Sequence, residues 1–250
     1  MRTVGVIGGM GPEATVLFMS RVIAAVPAAD DGDHIPLLVD QNPQVPSRIK
    51  ALLEGGGDDP APVLARMAQG LEAAGAQALV MPCNTAHHYA PAIRAKTRLP
   101  FLSMVDMAAQ HAAALAPGGP VGLLGSPALA RVGVFDAPMT ARGLPLVPLA
   151  NPDATLATIR AIKALGPSPA AIRQLRDEAT AQAAAGARAI CICCTEFSLV
   201  ASQIDAPVPV FDALDLLVGA TIRFARDGDN PAASAASRAA HTSNREKATT

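Results

Sequence analysis

Tryptophan is absent from this sequence, tyrosine occurs once, and aromatic residues make up only 3% of it. An interior built with so few rings must be filled by Ala, Val, Leu and Ile. Half of the 250 residues are hydrophobic, enough for a sizeable core in one large domain or two small ones. Excess charge of either sign is also missing. The formal net charge is −1 and no basic stripe runs along the chain, so attraction to nucleic acid or to an anionic membrane surface has no electrostatic basis. Apolar runs of bilayer-spanning length are lacking. Met1 leads almost at once into TVGVIGG, without the charged and then apolar segments of a signal peptide. The expectation is a soluble cytoplasmic protein. Cysteine is scarce, and three of its four copies crowd together at Cys191, Cys193 and Cys194. That is no secreted disulfide framework, so the four are expected as thiols.

What is present is alternation. Short apolar runs at 3–9, 34–40, 76–82, 99–104, 120–126, 144–149, 187–193 and 206–212 read as strands. Several lack polar alternation, which suits parallel strands covered on both faces. Between them, APVLARMAQGLEAAG and PAAIRQLRDEATAQAAAG carry apolar residues at helical spacing and end at glycine. Strand alternating with helix predicts an α/β fold with mainly parallel sheets flanked by helices.

The pattern repeats. VGVIGG from Val4 returns as VGLLGS from Val121, GAQALVMPCNT from Gly75 as GARAICICCTE from Gly186, and LPFLS from Leu99 as VPVFD from Val208. Three segments in one order at nearly one spacing predict two pseudo-symmetric Rossmann-like lobes with a site in the cleft between them. The first lobe is expected over 1–101 plus 208–227, the second over 102–207, and a mobile tail over 228–250, where apolar periodicity ends. The helix pattern DALDLLVGATIRFA is expected to pack back on the first lobe.

The repeat places Cys83 and Cys194 at equivalent positions, each at a strand's carboxyl end, where open parallel sheets build their sites. A helix N-terminus there lowers a thiol's pKa. Two thiols flanking one small substrate can invert a carbon centre: one removes a proton as thiolate, the other returns a proton to the opposite face. The competing role for any cysteine is that of a small buried hydrophobe. That role suits Cys191 and Cys193, inside the strand, better than Cys83 and Cys194, which polar residues follow. A zinc site of Cys83, His87 and the second cysteine cluster is the metal alternative, but paired CxxC spacing is missing.

Four stretches in order, IGGMGPEAT (7–15), NPQVPSR (42–48), MPCNTAH (81–87) and CCTEFSL (193–199), resemble the aspartate/glutamate racemases, pyridoxal-phosphate-independent amino-acid racemases, with the aspartate racemase branch the closest in look. The likeness spans about residues 3–226. It implies no cofactor, no metal, a small amino-acid substrate and a homodimer. It also implies Cys83 and Cys194 as the acid/base pair, and Asn84, Thr85 and Thr195 as holders of the substrate α-carboxylate. Met10 would line the site. Arg48 and Lys163 would receive a side-chain carboxylate, where the alternative for both is solvated surface charge. Donors at the α-carboxylate would stabilise the charge that develops on proton removal. His87 and His88 are candidates to orient a thiol or to cap a helix. Glu196 is a candidate to orient Cys194 or to favour a helix N-terminus.

The sequence departs from the family pattern after the strand at 121–125. Ser126 keeps a hydroxyl, but Leu129, Val132 and Phe135 stand where the family often has hydroxyl-bearing residues, and Cys193 stands where it usually has glycine. A less polar substrate or a broader range is the consequence to expect. Three rivals remain. GMGPEA (9–14) fits the G-x-G-x-x-A dinucleotide fingerprint, although Glu13 would set negative charge near a pyrophosphate and Asp40 lies too far on. A decarboxylase or cis–trans isomerase of the wider superfamily would use one or both cysteines. A non-catalytic amino-acid-binding protein would use neither for chemistry.

Overall fold

The computed structural model describes residues 1–227; the tail expected over 228–250 lies outside the described residues. In chain order the elements of the first half are β1 (Val4–Gly8), α1 (Pro12–Ala24), β2 (Leu37–Gln41), α2 (Arg48–Leu52), α3 (Ala61–Ala73), β3 (Ala78–Val80), α4 (Ala90–Arg94) and β4 (Phe101–Leu102). The second half follows with α5 (Met104–Leu115), β5 (Val121–Leu124), α6 (Pro127–Val132), α7 (Asp136–Thr140), β6 (Leu146–Val147), α8 (Pro152–Leu165), α9 (Pro169–Ala184), β7 (Ala189–Ile192), α10 (Thr195–Ser198), β8 (Val210–Asp212) and α11 (Ala213–Asp227). All eight expected strands form. They build two four-stranded, all-parallel sheets, ordered β2-β1-β3-β4 and β6-β5-β7-β8.

The sequence repeat is kept down to register. Val4 pairs with Ala78 in the first sheet and Val121 with Ala189 in the second; Leu79 pairs with Phe101, and Ile190 with Val210. The helices preceding β3 and β7 end at equivalent glycines, Gly75 at φ +99° and Gly186 at φ +100°, a conformation that costs other residues a steric clash.

Alternate residues of each strand face different cores, which explains the unbroken apolar runs. Val4, Val6, Ala78 and Val80 of the first sheet, with Val121, Leu123 and Cys191 of the second, face one central core. α1, α5 and α11 fill it with Phe18, Val22, Val105, Ala108, Leu214 and Leu217. The opposite faces carry separate outer cores, under α3 and α4 in the first half and under α8 and α9 in the second.

One boundary differs from the expectation that 208–227 joins the first lobe. β8 hydrogen-bonds to β7 and so completes the second sheet, with Val208 and Val210 packed against the outer core of the second half. α11 does pack against α1, α5 and β4, and Phe224 accepts a bond from Arg2 Nε at 2.8 Å. Among the described residues no helix is long and apolar enough to cross a membrane.

Candidate active site

The glycines of GGM shape the first wall of the site by close packing. Gly9 lies at φ +93°, and a Cβ there would meet the Asn42 backbone at 2.4 Å; its N–H donates to Thr15 Oγ1 at 2.9 Å. Within the dinucleotide fingerprint the Gly9 N–H is thus taken by the chain's own Thr15 and is not offered to a phosphate. Glu13 sits in the first turn of α1 and adds negative charge. Met10, next in the loop, is buried and faces the cavity that both halves share.

Strands β3 and β7 deliver the two thiols. Cys83 follows β3 by three residues and Cys194 follows β7 by two; both are buried and both line the same small cavity of about 50 Å³. Asn84 and Thr85 from the first half, and Ser126, Cys193, Thr195 and Glu196 from the second, line it as well. Arg48, at the start of α2, and Lys163, on α8, close its mouth. Together with Gly9, Pro43 and Val45 they also border an outer cleft of about 670 Å³. The inner space is continuous in its lining with the outer cleft through Ser47, Arg48, Lys163, Thr195 and Glu196.

The two thiols sit in different settings. Cys194 Sγ donates to Glu196 Oε2 at 2.9 Å, and Glu196 Oε1 lies 3.2 Å from Lys163 Nζ. Burial, reinforced by the Glu196 carboxylate, pushes the Cys194 thiol well above the usual thiol range. The expectation that a helix N-terminus lowers it is overturned for Cys194. The helix there, α10, is a single turn of four residues with little dipole, and desolvation outweighs it. Burial pulls the Lys163 ammonium down, but Glu196, with Cys194 and Cys83 beside it, outweighs that and holds its pKa above the ordinary value.

Cys83 is held through its backbone. The His87 ring bonds the Cys83 carbonyl through Nδ1 at 2.8 Å, and Nε2 accepts from the Met104 N–H at 3.2 Å. These partners fix the tautomer with the proton on Nδ1. Burial lowers the His87 pKa to about 4, so the ring is neutral. With both nitrogens engaged, His87 has none to offer a zinc ion, and among the described residues no group of three His, Cys, Asp or Glu side chains is arranged to hold a metal. His88 is exposed, edge-on to Tyr89 at 5.0 Å, and takes no part in orienting a thiol.

Asn84 is 3% exposed and its Oδ1 has no partner, an unmet acceptor at the cavity wall. Arg48 Nη1 bonds the Val45 and Pro46 carbonyls at 3.2 and 2.9 Å. Of the family departures, Leu129 and Phe135 are buried in the central core and Val132 is half-buried, none of them at the thiol cavity. Cys191 lies in the same core, whereas Cys193 belongs to that core and also reaches the cavity.

Sequence reasoning missed a set of charged contacts behind α10, centred on the buried Asp212. Arg21 Nη1 donates to Asp212 Oδ2 at 2.7 Å and to Asp215 Oδ1 at 2.8 Å, and Nη2 donates to the Ser198 carbonyl. Ser198 Oγ donates to Asp212 Oδ1 at 2.9 Å. It also missed Glu178, whose carboxylate takes the Ala150 and Asn151 N–H groups at 2.7 and 2.9 Å and fixes the entry to α8. Arg21 carried the one available signal, a single basic residue inside the apolar stretch VLFMSRVIA, whereas Glu178 sits beside Arg176 and Asp177 in a charged helix and carried none.

Known structures share this fold. A Picrophilus torridus aspartate racemase superposes with a TM-score of 0.77 at 26% identity, covering 90% of this chain and 94% of that one. A putative Asp/Glu racemase from Yersinia pestis gives a TM-score of 0.70 at 25% identity, covering 90% and 99%. A glutamate racemase from Francisella tularensis shares the fold at a TM-score of 0.60 and 15% identity, covering 92% and 83%. A family model described as Asp/Glu/hydantoin racemase matches residues 7–221, and with most of its length inside that match the chain belongs to the Asp/Glu/hydantoin racemase family.

Proposed function

We propose that the protein racemises aspartate, or glutamate, by a cofactor-independent two-thiol proton transfer between Cys83 and Cys194. The observation that carries this reading is that both thiols, from repeat-equivalent positions of the two sheets, line one cavity. Amino-acid racemisation accords with the family and with the aspartate racemase among its structural neighbours.

The substrate enters as Lys163 exchanges Glu196 for an incoming side-chain carboxylate, with Arg48 turning from the Val45 and Pro46 carbonyls to the same group. An Arg fork suits a carboxylate. Asn84 takes the α-carboxylate through its amide N–H and the α-ammonium through its unpaired Oδ1; Thr85, Thr195 and Ser126 supply further donors to the carboxylate. In the resting site Cys194 is the thiol, hydrogen-bonded to Glu196. The Cys83 thiolate takes the α-proton and becomes a thiol, the carbanion's charge spreads to the α-carboxylate, and the Cys194 thiol gives its proton to the opposite face and is left as thiolate; the reverse reaction exchanges the two roles. The same reading expects a homodimer, which light scattering on the purified chain tests.

The deciding experiment incubates L- and D-aspartate, and then the two glutamates, with the enzyme in D₂O, followed by NMR and chiral chromatography. Entry of α-deuterium with formation of the other enantiomer supports the proposal. Carbon dioxide release from a malonate-type substrate without inversion would replace it with a decarboxylase, and no exchange with any common amino acid would remove it.

A further inference from the structure

α10, which carries Thr195 and Glu196 and begins at Cys194, is one turn long. A turn that short does not hold its own shape, so something outside it must. Its last residue, Ser198, donates its N–H to the Cys194 carbonyl at 3.2 Å. Ser198 is itself gripped at two points: its hydroxyl by buried Asp212 and its carbonyl by Arg21. Asp212 takes a further bond from the Leu214 N–H at 2.9 Å, which ties it to the start of α11. Arg21 belongs to the first half, on α1, whose opposite end follows the Met10 loop at the cavity.

The repeat supplies a comparison inside the molecule. Cys83 and His87 stand in the places of Cys194 and Ser198, and Ser103 stands in the place of Asp212. In the first half the turn after the cysteine is tied to the next strand end without any charge, through His87 to the Cys83 carbonyl and the Met104 N–H. In the second half the tie runs through an ion pair that crosses from the other half: Arg21 to Asp212, whose side chain is only 3% exposed. We infer that Arg21 is a positioning residue for the Cys194 half of the site, holding α10 from behind through the Ser198 carbonyl and Asp212. It touches no reacting atom. Its role is to fix where Cys194 points relative to Cys83, and through α1 it links that position to the Met10 loop. The inference rests on the two-thiol reading for its kinetic consequence, not for its structural one.

The test replaces Arg21 with Met, which keeps packing without charge, and with Lys, which keeps the charge but loses the fork; Ser198→Ala removes the hydroxyl bond alone. Iodoacetamide alkylation is followed at each cysteine by site-resolved mass spectrometry, beside thermal melting. In Arg21→Met, Cys194 should alkylate about tenfold faster while Cys83 keeps its rate, because only one half is loosened. Ser198→Ala should shift Cys194 the same way by less, and it carries the test if Arg21→Met does not fold. Racemisation should fall about 10- to 100-fold in kcat with KM little changed, and Arg21→Lys should recover part of both readouts. Equal acceleration of Cys83 and Cys194, or no change in either, overturns the inference. If the wild-type protein racemises nothing, the functional proposal fails, while the alkylation contrast still decides the positioning role.

Discussion

Cys194 hands its thiol proton to a hydrogen bond with Glu196, 2.9 Å away, and Glu196 in turn faces Lys163 at 3.2 Å. Cys83 has no such partner among the described side-chain hydrogen bonds; its environment reaches it through the His87 contact with its carbonyl. The two halves share a register and a cavity but prepare their thiols differently.

Glu196 disfavours the Cys194 thiolate and Lys163 favours it. Removing the carboxylate charge lowers the thiol's pKa, so more thiolate exists at a fixed pH. Glu196→Gln should therefore alkylate faster at Cys194 at neutral pH, and Lys163→Met more slowly. Site-resolved mass spectrometry across pH 6–10 reads both; a pH profile unchanged in Glu196→Gln would count against the pairing.

Replacing either Cys83 or Cys194 by Ser should lower racemisation about 10²- to 10⁴-fold, the usual contribution of a positioned acid/base group. Cys191→Ser, in the core away from the cavity, should keep kcat within a fewfold and lose stability instead. Chiral chromatography of each variant's product checks the contrast.

Arg48→Met and Lys163→Met should each raise KM for aspartate about 10- to 100-fold, the loss of one charge-assisted contact worth roughly 1.5–3 kcal/mol. Steady-state kinetics with aspartate and with alanine test it: a substrate without a side-chain carboxylate should be indifferent to Arg48→Met, and should feel Lys163→Met only through the weaker support of the Cys194 thiolate.

Burial lowers the His87 pKa to about 4 in the folded protein, against the ordinary imidazole value of about 6.5. Its folded pKa is depressed, so the unfolded chain binds the proton first. The stability its neutral form contributes is complete above pH 6.5, falls as pH drops towards 4, and levels below that, a total on the order of 3 kcal/mol. Urea unfolding of the wild type and of His87→Gln between pH 4 and 8 should show the difference between them shrinking across that window.

Gly9→Ala should destabilise the fold by about 2–5 kcal/mol, since φ of +93° and a Cβ 2.4 Å from the Asn42 backbone combine strain with overlap. Chemical unfolding measures it, and Gly70→Ala, with open space around its helical position, is the matched control.

Strand positions, the parallel arrangement and the doubled architecture were legible because each strand is an unbroken apolar run between helical patterns, and because Val4, Gly75 and Leu99 have counterparts in the same order. The stretch around Val208 was harder. VPVFD resembles the first-half strand that precedes α5, yet the helix that follows it packs on α1, and sequence order alone put the strand on the same side as its helix. The pairing of Ile190 with Val210 corrects this. Cys83 and Cys194 were legible as strand-end thiols followed by polar residues. Arg21, Asp212 and Ser198 were not, because they come from three separate elements and no local pattern shows that they meet.

Composition and periodicity by themselves determined that this chain builds two like parallel sheets and sets one cysteine at the same place on each, since apolar runs and turn residues act over a few neighbours. Only the tertiary structure decided how those cysteines differ. Burial beside Glu196 pushes one thiol up, and a neutral buried His87 fixes the backbone of the other; both depend on desolvation and on distances of about 3 Å between residues that no local pattern brings together.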